Sequence, residues 1–293
     1  MSLDIRPLHP IFAAEVLGLD LRTPPDAALV SALDDAMNRF AVLVVRDQDI
    51  DDDQQLAFAE AMGPLEPTPA VVDQHLHRLK HREMVDISNL DIDGRIIASD
   101  DRRRMFNLGN LLWHSDSSFK ATPAKYSMLH ARVVPPAGGE TEFADMRAAY
   151  DALSGEVKEK IESLVCDHSL IYSRAQLGFD EFNADEVRQF APVPQRLVRR
   201  HAGSGRRSIY LSAHIGTIHG WLRPEAMAFV RELTEHATQR QFVYSHPWRV
   251  RDLVIWDNRC TMHRARPFDD RRYRRDMRRA TLQDSAPTLQ QPL

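Results

Sequence analysis

Short β-branched or aliphatic runs recur along this chain, and they limit it to folds built around a sheet. Phe40-Ala-Val-Leu-Val-Val45 is a continuous apolar run, Tyr126–Val134 (YSMLHARVV) a longer mixed one, and Leu253-Val-Ile255 lies inside a third at Asp252–Asp257. Ser208–Ser212, Phe242–Ser245 and Arg275–Leu282 add further strand-like pieces, and Pro135-Pro-Ala-Gly-Gly139 is a turn. Runs of this length, punctuated by turn residues, predict buried strands. Helical spacing is confined to a few segments. Asp26 can cap a helix carrying Leu29, Val30, Leu33 and Met37. Asp51–Asp53 open a second through Leu56, Phe58 and Met62, closed by Gly63. Asp145–Val165 reads as a third, broken near Ser154-Gly155, and Arg223-Pro224 starts a fourth with Met227, Val230 and Leu233. The pattern is α+β with a β core, in one domain spanning residues 1–293.

Two stretches resist assignment. Residues 68–108 are polar, charged and too long for an ordinary connection, which predicts a lid or a partly disordered loop. Residues 173–194 are a second irregular, lid-like region, and Val85–Asn89 and Ser173–Phe182 could form a lid over the substrate. The Asp100–Arg104 charge run reads as a solvated loop. Charge and composition then remove whole classes of function. A net charge of −4 argues against a general polyanion binder, and no uninterrupted apolar stretch is long enough to span a bilayer. The N-terminus lacks a basic stretch followed by an apolar run, so no secretory signal is expected. Two cysteines, Cys166 and Cys260, cannot build a disulfide framework and suit a reducing cytoplasm.

The chemistry starts at Trp113-His114-Ser115-Asp116. In extended chain, residues i and i+2 project to one face, so His114 and Asp116 can reach one metal ion. A third imidazole would complete a two-histidine, one-carboxylate facial triad, the arrangement of non-haem Fe(II) oxygenases. Trp256-Asp-Asn-Arg-Cys-Thr-Met-His263 offers one, with His263 expected on a loop just beyond the strand. The following segment, Arg264–Arg279, reads either as a solvated basic face or as something more specific. If Arg275–Leu282 is a strand, Arg275, Met277 and Arg279 share one face, and the methionine marks it as interior. Arg274, Asp276 and Arg278 then share an exposed, self-compensating face. An interior arginine needs an anion, and a bound carboxylate ligand would serve.

His114, Asp116, Thr141, His263 and Arg275, at this spacing, resemble the taurine/2,4-dichlorophenoxyacetate dioxygenase family. Supporting stretches are Leu112–Phe119, Gly138–Phe143, Asp145–Tyr150, His201–Arg206 and Trp256–Arg259, closer to the 2,4-dichlorophenoxyacetate branch. The resemblance implies a double-stranded β-helix (jelly-roll) core flanked by helices. It implies Fe(II) held by His114, Asp116 and His263, and 2-oxoglutarate held by Thr141 and Arg275 with Trp256 beside it. Arg279 would face the anionic head of a small-molecule substrate, and Asn110 would line its pocket. The implied reaction, with dioxygen, hydroxylates the carbon beside the ether oxygen of an aryloxyacetate, giving a phenol, a small oxo-acid, succinate and carbon dioxide. Relatives of this kind are commonly homo-oligomers. The same machinery could act on an alkyl sulfonate or sulfate ester.

Other features are weaker. His201 with Gly203-Ser-Gly205 could bind an anion but reads as a plain turn, and His130 reads as a satisfied mid-strand histidine. His214 and His219 lie near the expected pocket rim. Cys260-x-x-His263 lacks the second cysteine pair of a closed zinc site. A non-catalytic metal-binding barrel, or a nucleic-acid binder using Arg264–Arg279, is the reading from another class.

Overall fold

The structure is a computed structural model, and it describes residues 3–66 and 78–293. Strands β1 (Asp4–Pro7), β2 (Ala14–Leu17) and β3 (Val42–Val45) and helices α1 (Ala27–Phe40) and α2 (Asp52–Met62) form the N-terminal part. Next come β4 (Met84–Ser88), α3 (Arg102–Asn107), β5 (Ala124–Val133), β6 (Thr141–Asp145), α4 (Met146–Asp151) and α5 (Gly155–Ile161). The middle holds β7 (Val165–His168), α6 (Leu170–Ala175), α7 (Ala184–Gln189), β8 (Val193–Arg196), β9 (Val198–Arg200), β10 (Arg207–Ile209) and β11 (Ile215–Ile218). Helix α8 (Arg223–Ala237) and strands β12 (Val243–His246), β13 (Leu253–Asp257), β14 (Thr261–Ala265) and β15 (Asp276–Gln283) complete the chain. Among the described residues, no helix is long and apolar enough to cross a membrane.

The main sheet runs β1-β2-β3-β13-β5-β15-β4, and a smaller sheet runs β12-β6-β14. Alternation along the strands builds two cores at once. In β13, Leu253 and Ile255 pack toward the helices, beside Leu43 and Val45 of β3 and Leu33, Met37 and Phe58 of α1 and α2. Val254 and Trp256 point the other way, with Val42, Val44, Leu129 and Met277, and meet Phe143 and Tyr244 of the smaller sheet. That inter-sheet core is the inside of the jelly roll. A third core joins α4, α5 and α8 to the outer strands through Met146, Tyr150, Ile161, Leu233 and Met262.

The helix caps follow the sequence reading. Asp26 accepts from the Leu29 amide, and Asp51 forms a reciprocal box with Gln54. The Asp145–Val165 stretch divides into α4 and α5, with Ser154 capping the second, and Val165 begins β7.

Four expectations need correction. The described part of the 68–108 stretch is not featureless: β4 is the edge strand of the main sheet, paired with β15, so Val85–Asn89 is a wall and not a lid. Residues 67–77 lie outside the described residues. The Asp100–Arg104 run opens α3, where Asp101 accepts from the Arg103 amide and Arg104 pairs with Asp270. The 173–194 stretch contains the end of α6, then α7 and the start of β8. His263 stands within β14, not on a loop, because Asp257–Cys260 turns tightly and the chain re-enters the smaller sheet. These elements are four to six residues long, below the length at which periodicity separates strand from helix from loop.

Candidate active site

The backbones of His114 and His263 exchange two hydrogen bonds, 3.0 and 2.8 Å long, as an isolated antiparallel bridge at the edge of β14. Such a pair fixes two side chains next to each other on one face, and the imidazole centroids stand 4.2 Å apart. Asp116 follows two residues later. Its Oδ1 lies 3.8 Å from His114 Nε2 and its Oδ2 lies 3.6 Å from His263 Nε2. The three donor atoms fall within 4.8 Å of one another, all on buried residues.

The protonation states suit a cation. Burial pushes both histidines below their ordinary pKa, so the rings are neutral. His114 Nδ1 lies 2.7 Å from the Leu112 carbonyl, which makes it the donor and leaves the Nε2 lone pair free. Burial alone would raise Asp116, but Arg279, with His263 and His114, outweighs it and holds the carboxyl well below its usual range. Arg279 Nη1 donates to Asp116 Oδ1 at 2.6 Å. Two neutral imidazoles and one carboxylate are the donor set that Fe(II) takes in facial triads, so these residues fit the metal.

A polar network behind Asp116 was not anticipated. Ser127 Oγ donates to Asp116 Oδ2 at 2.7 Å, and Asn258 Nδ2 donates to Ser127 Oγ at 2.9 Å. Asn258 Oδ1 in turn accepts from the Asp116 amide (3.0 Å) and from Trp256 Nε1 (3.1 Å). Asn258 stood in the Trp256–Arg259 motif, but only the pairing of β13 with β5 brings it to Ser127.

Two cavities meet at this cluster. The larger, 280 Å³, is lined by Thr141, Arg275, Trp256, His263 and Asn89 among others. The smaller, 130 Å³, is lined by Asp116, Arg174, His214, Phe106, Phe119 and Phe190 among others. His114, Asn110 and Arg279 line both. In the larger cavity Arg275 is 7% exposed, its Nε has no partner, and burial pulls it down to about 10. Thr141 Oγ1 accepts from Trp248 Nε1 at 3.0 Å, which frees its own O–H to donate into the cavity. Trp256 is both core and lining: it is 1% exposed, and its ring lies 4.8 Å from that of His263.

The model of the taurine catabolism dioxygenase TauD, TfdA family matches residues 4–281 of the chain. The chain belongs to this family. It is 46% identical to the alpha-ketoglutarate-dependent 2,4-dichlorophenoxyacetate dioxygenase of Cupriavidus pinatubonensis, over 98% of this chain and 99% of that protein. It is 38% identical to the (S)-phenoxypropionate/alpha-ketoglutarate-dioxygenase of Sphingobium herbicidovorans, over 92% and 91%. The solved structure of AAD-2 in complex with Mn(II) and N-oxalylglycine superposes with a TM-score of 0.95 at 52% identity, covering 98% of this chain and 100% of that one. As a member of this family the chain is an Fe(II)- and 2-oxoglutarate-dependent dioxygenase with a jelly-roll core.

The remaining expectations divide. His214 lines the smaller cavity, whereas His219 is exposed and pairs with Asp167. His130 is buried with Nε2 2.8 Å from the Gln48 carbonyl. His201 is engaged inside the protein: its Nε2 sits 2.9 Å from Asp257 Oδ2, and the Asp257 carboxylate also pairs with Arg259. Cys260 lies with His201 and Asp257, apart from the three-donor cluster. Arg275 and Arg279 face inward as expected, but Arg278 is only 12% exposed and sits among Asp276, Asp86 and Asp52, because Arg78 and α2 cover that face.

Proposed function

We propose that residues 1–293 act as one oxygenase domain that hydroxylates the carbon next to the ether oxygen of an aryloxyacetate-type carboxylate. The hemiacetal product falls apart to a phenol and a small oxo-acid, while 2-oxoglutarate becomes succinate and carbon dioxide. The observation that carries this reading is the meeting of two cavities at His114, Asp116 and His263, one lined by a threonine and a desolvated arginine, the other by aromatic rings. The named activity of the Cupriavidus relative supports the substrate class.

His114, Asp116 and His263 would hold Fe(II), which with 2-oxoglutarate and dioxygen supplies the oxidising chemistry. The chain's own residues do the rest. Arg275 and the Thr141 hydroxyl would grip the distal carboxylate of 2-oxoglutarate, with Trp256 packed beside it. A guanidinium already stripped of water, without a carboxylate partner among the described residues, is prepared for that anion. Arg279 and Asn110, on both cavities, would face the substrate where it meets the co-substrate. Fixing the substrate carboxylate sets the distance of the adjacent carbon, and the ring walls exclude water. Assembly as a homo-oligomer and residence in the cytoplasm belong to the same reading, tested by light scattering and by cell fractionation.

The deciding experiment measures succinate and phenol release from phenoxyacetate, 2,4-dichlorophenoxyacetate, aryloxypropionates, alkyl sulfonates and sulfate esters, with Fe(II) and 2-oxoglutarate present. Phenol formed together with succinate supports the reading. Sulfite or sulfate release without phenol overturns it.

A further inference from the structure

We propose that Arg174 anchors the carboxylate of the primary substrate in the smaller cavity, an assignment that rests on the aryloxyacetate reading above. Three cations line this cavity, and two are already compensated. Arg279 donates to Asp116 at 2.6 Å, and Lys120 pairs with Glu66. Arg174 is different. It is 7% exposed, and among the described residues it has no carboxylate partner. Its Nη1 donates to Ser173 Oγ at 3.2 Å, and its Nε is buried without any acceptor. Its strongest neighbouring charge is a repulsive one, Arg279. A buried cation in that position is costly unless an anion arrives.

The surroundings say which anion. The guanidinium carbon lies 4.5 Å from the Phe106 ring centroid, a cation–π contact that uses none of its N–H donors. Phe119, Phe190 and Leu170 make the remaining walls apolar. An aromatic lining around one uncompensated guanidinium fits an aryl group carrying a single carboxylate. The position is also close to the reacting centre, since the Arg174 charge acts on both His114 and His214. The chain makes room for it deliberately. A Cβ on Gly109 would stand 2.2 Å from Arg174 Cζ and Nη1, so only glycine there lets the guanidinium lie across the backbone.

The test uses full-length protein loaded anaerobically with Fe(II) and 2-oxoglutarate, and calorimetric titration with phenoxyacetate and with its neutral analogue phenoxyacetamide. Arg174→Gln should weaken phenoxyacetate binding about 100-fold, the size of a bidentate charge-assisted contact. It should leave phenoxyacetamide, 2-oxoglutarate and iron affinity within about threefold of wild type. Gly109→Ala keeps the arginine but evicts its head, and should give the same acid-selective loss, which covers the case in which Arg174→Gln does not fold. Equal weakening of acid and amide, or unchanged acid affinity in either variant, overturns the assignment. The two readings fail differently: if wild type does not bind phenoxyacetate, the substrate class falls, whereas wild-type binding with an indifferent Arg174→Gln removes the anchor alone.

Discussion

Asn258→Leu tests whether the network behind Asp116 holds the metal site in shape. Leucine keeps the branched outline of asparagine, is somewhat bulkier and carries no polar atoms, so the change removes hydrogen bonds without opening a void. Three contacts disappear: the acceptors for the Asp116 amide (3.0 Å) and for Trp256 Nε1 (3.1 Å), and the donor to Ser127 Oγ (2.9 Å). Two buried N–H groups are then left unpaired, at about 1–3 kcal/mol each, or roughly 2–6 kcal/mol together. For a chain of this size that lowers the melting temperature by on the order of 10 °C. The effect on the metal is separate. Ser127 loses the partner that orients it, and Asp116 loses both the amide contact and the fixed direction of its Ser127 donor. Groups that orient ligands in this way typically carry about 10–100-fold of metal affinity. Melting of the metal-free protein and calorimetric Mn(II) titration read the two quantities independently. A variant that melts within about 1 °C of wild type and binds Mn(II) with unchanged affinity would show that the network is ornamental.

His114→Ala should abolish high-affinity Fe(II) or Mn(II) binding while the jelly roll persists, since two remaining donors hold the ion poorly; retained tight binding by calorimetry would remove the metal assignment. Arg275→Ala should raise the KM for 2-oxoglutarate on the order of 100-fold and leave the Kd for the primary substrate within about threefold, because the guanidinium lines only the larger cavity; a shift confined to the primary substrate would contradict that division. Stability should fall on the acid side. Burial lowers His130 to about 4 and His168 to about 3, so above an ordinary value of about 6.5 both states are neutral and the full stability is present. Below it the unfolded chain takes up protons first, and these two histidines together remove roughly 3 kcal/mol between pH 6.5 and pH 5. Urea midpoints over that window measure the slope, from which His168→Gln should remove that residue's own share, roughly 1.5 kcal/mol across the window; an unaltered slope would refute the assignment.

Local chemistry along the chain was enough for several parts of this molecule. The caps at Asp26 and Asp51 act between residues three apart, so their signals lie within one turn of sequence. The strand at residues 252–257 was readable as a short apolar run, because its alternating side chains are buried on both faces, one set in each core. The same alternation placed Arg275 and Arg279 on an interior face and gave the reason an anion must meet them. His114, Asp116 and His263 were legible as a set from their chemical type and spacing, helped by the family resemblance.

The rest depended on contacts between distant segments. The edge strand at Met84–Ser88 exists because Asp276–Ala280 offers it a partner, and five mixed residues carry no such information on their own. Arg278 looked exposed until α2 and Arg78 covered it. Arg174 and Gly109 had no visible signal, since one looks like an ordinary helix-end arginine and the other like a loop glycine until they stack. Sequence by itself determined which side chains carry metal-binding donors, which residues are apolar along each strand, and where several helices begin, because those follow from residue type and short-range spacing. Tertiary structure alone decided which charges were left without partners and which cavity they faced, because compensation of a buried charge depends on neighbours that folding brings from elsewhere in the chain.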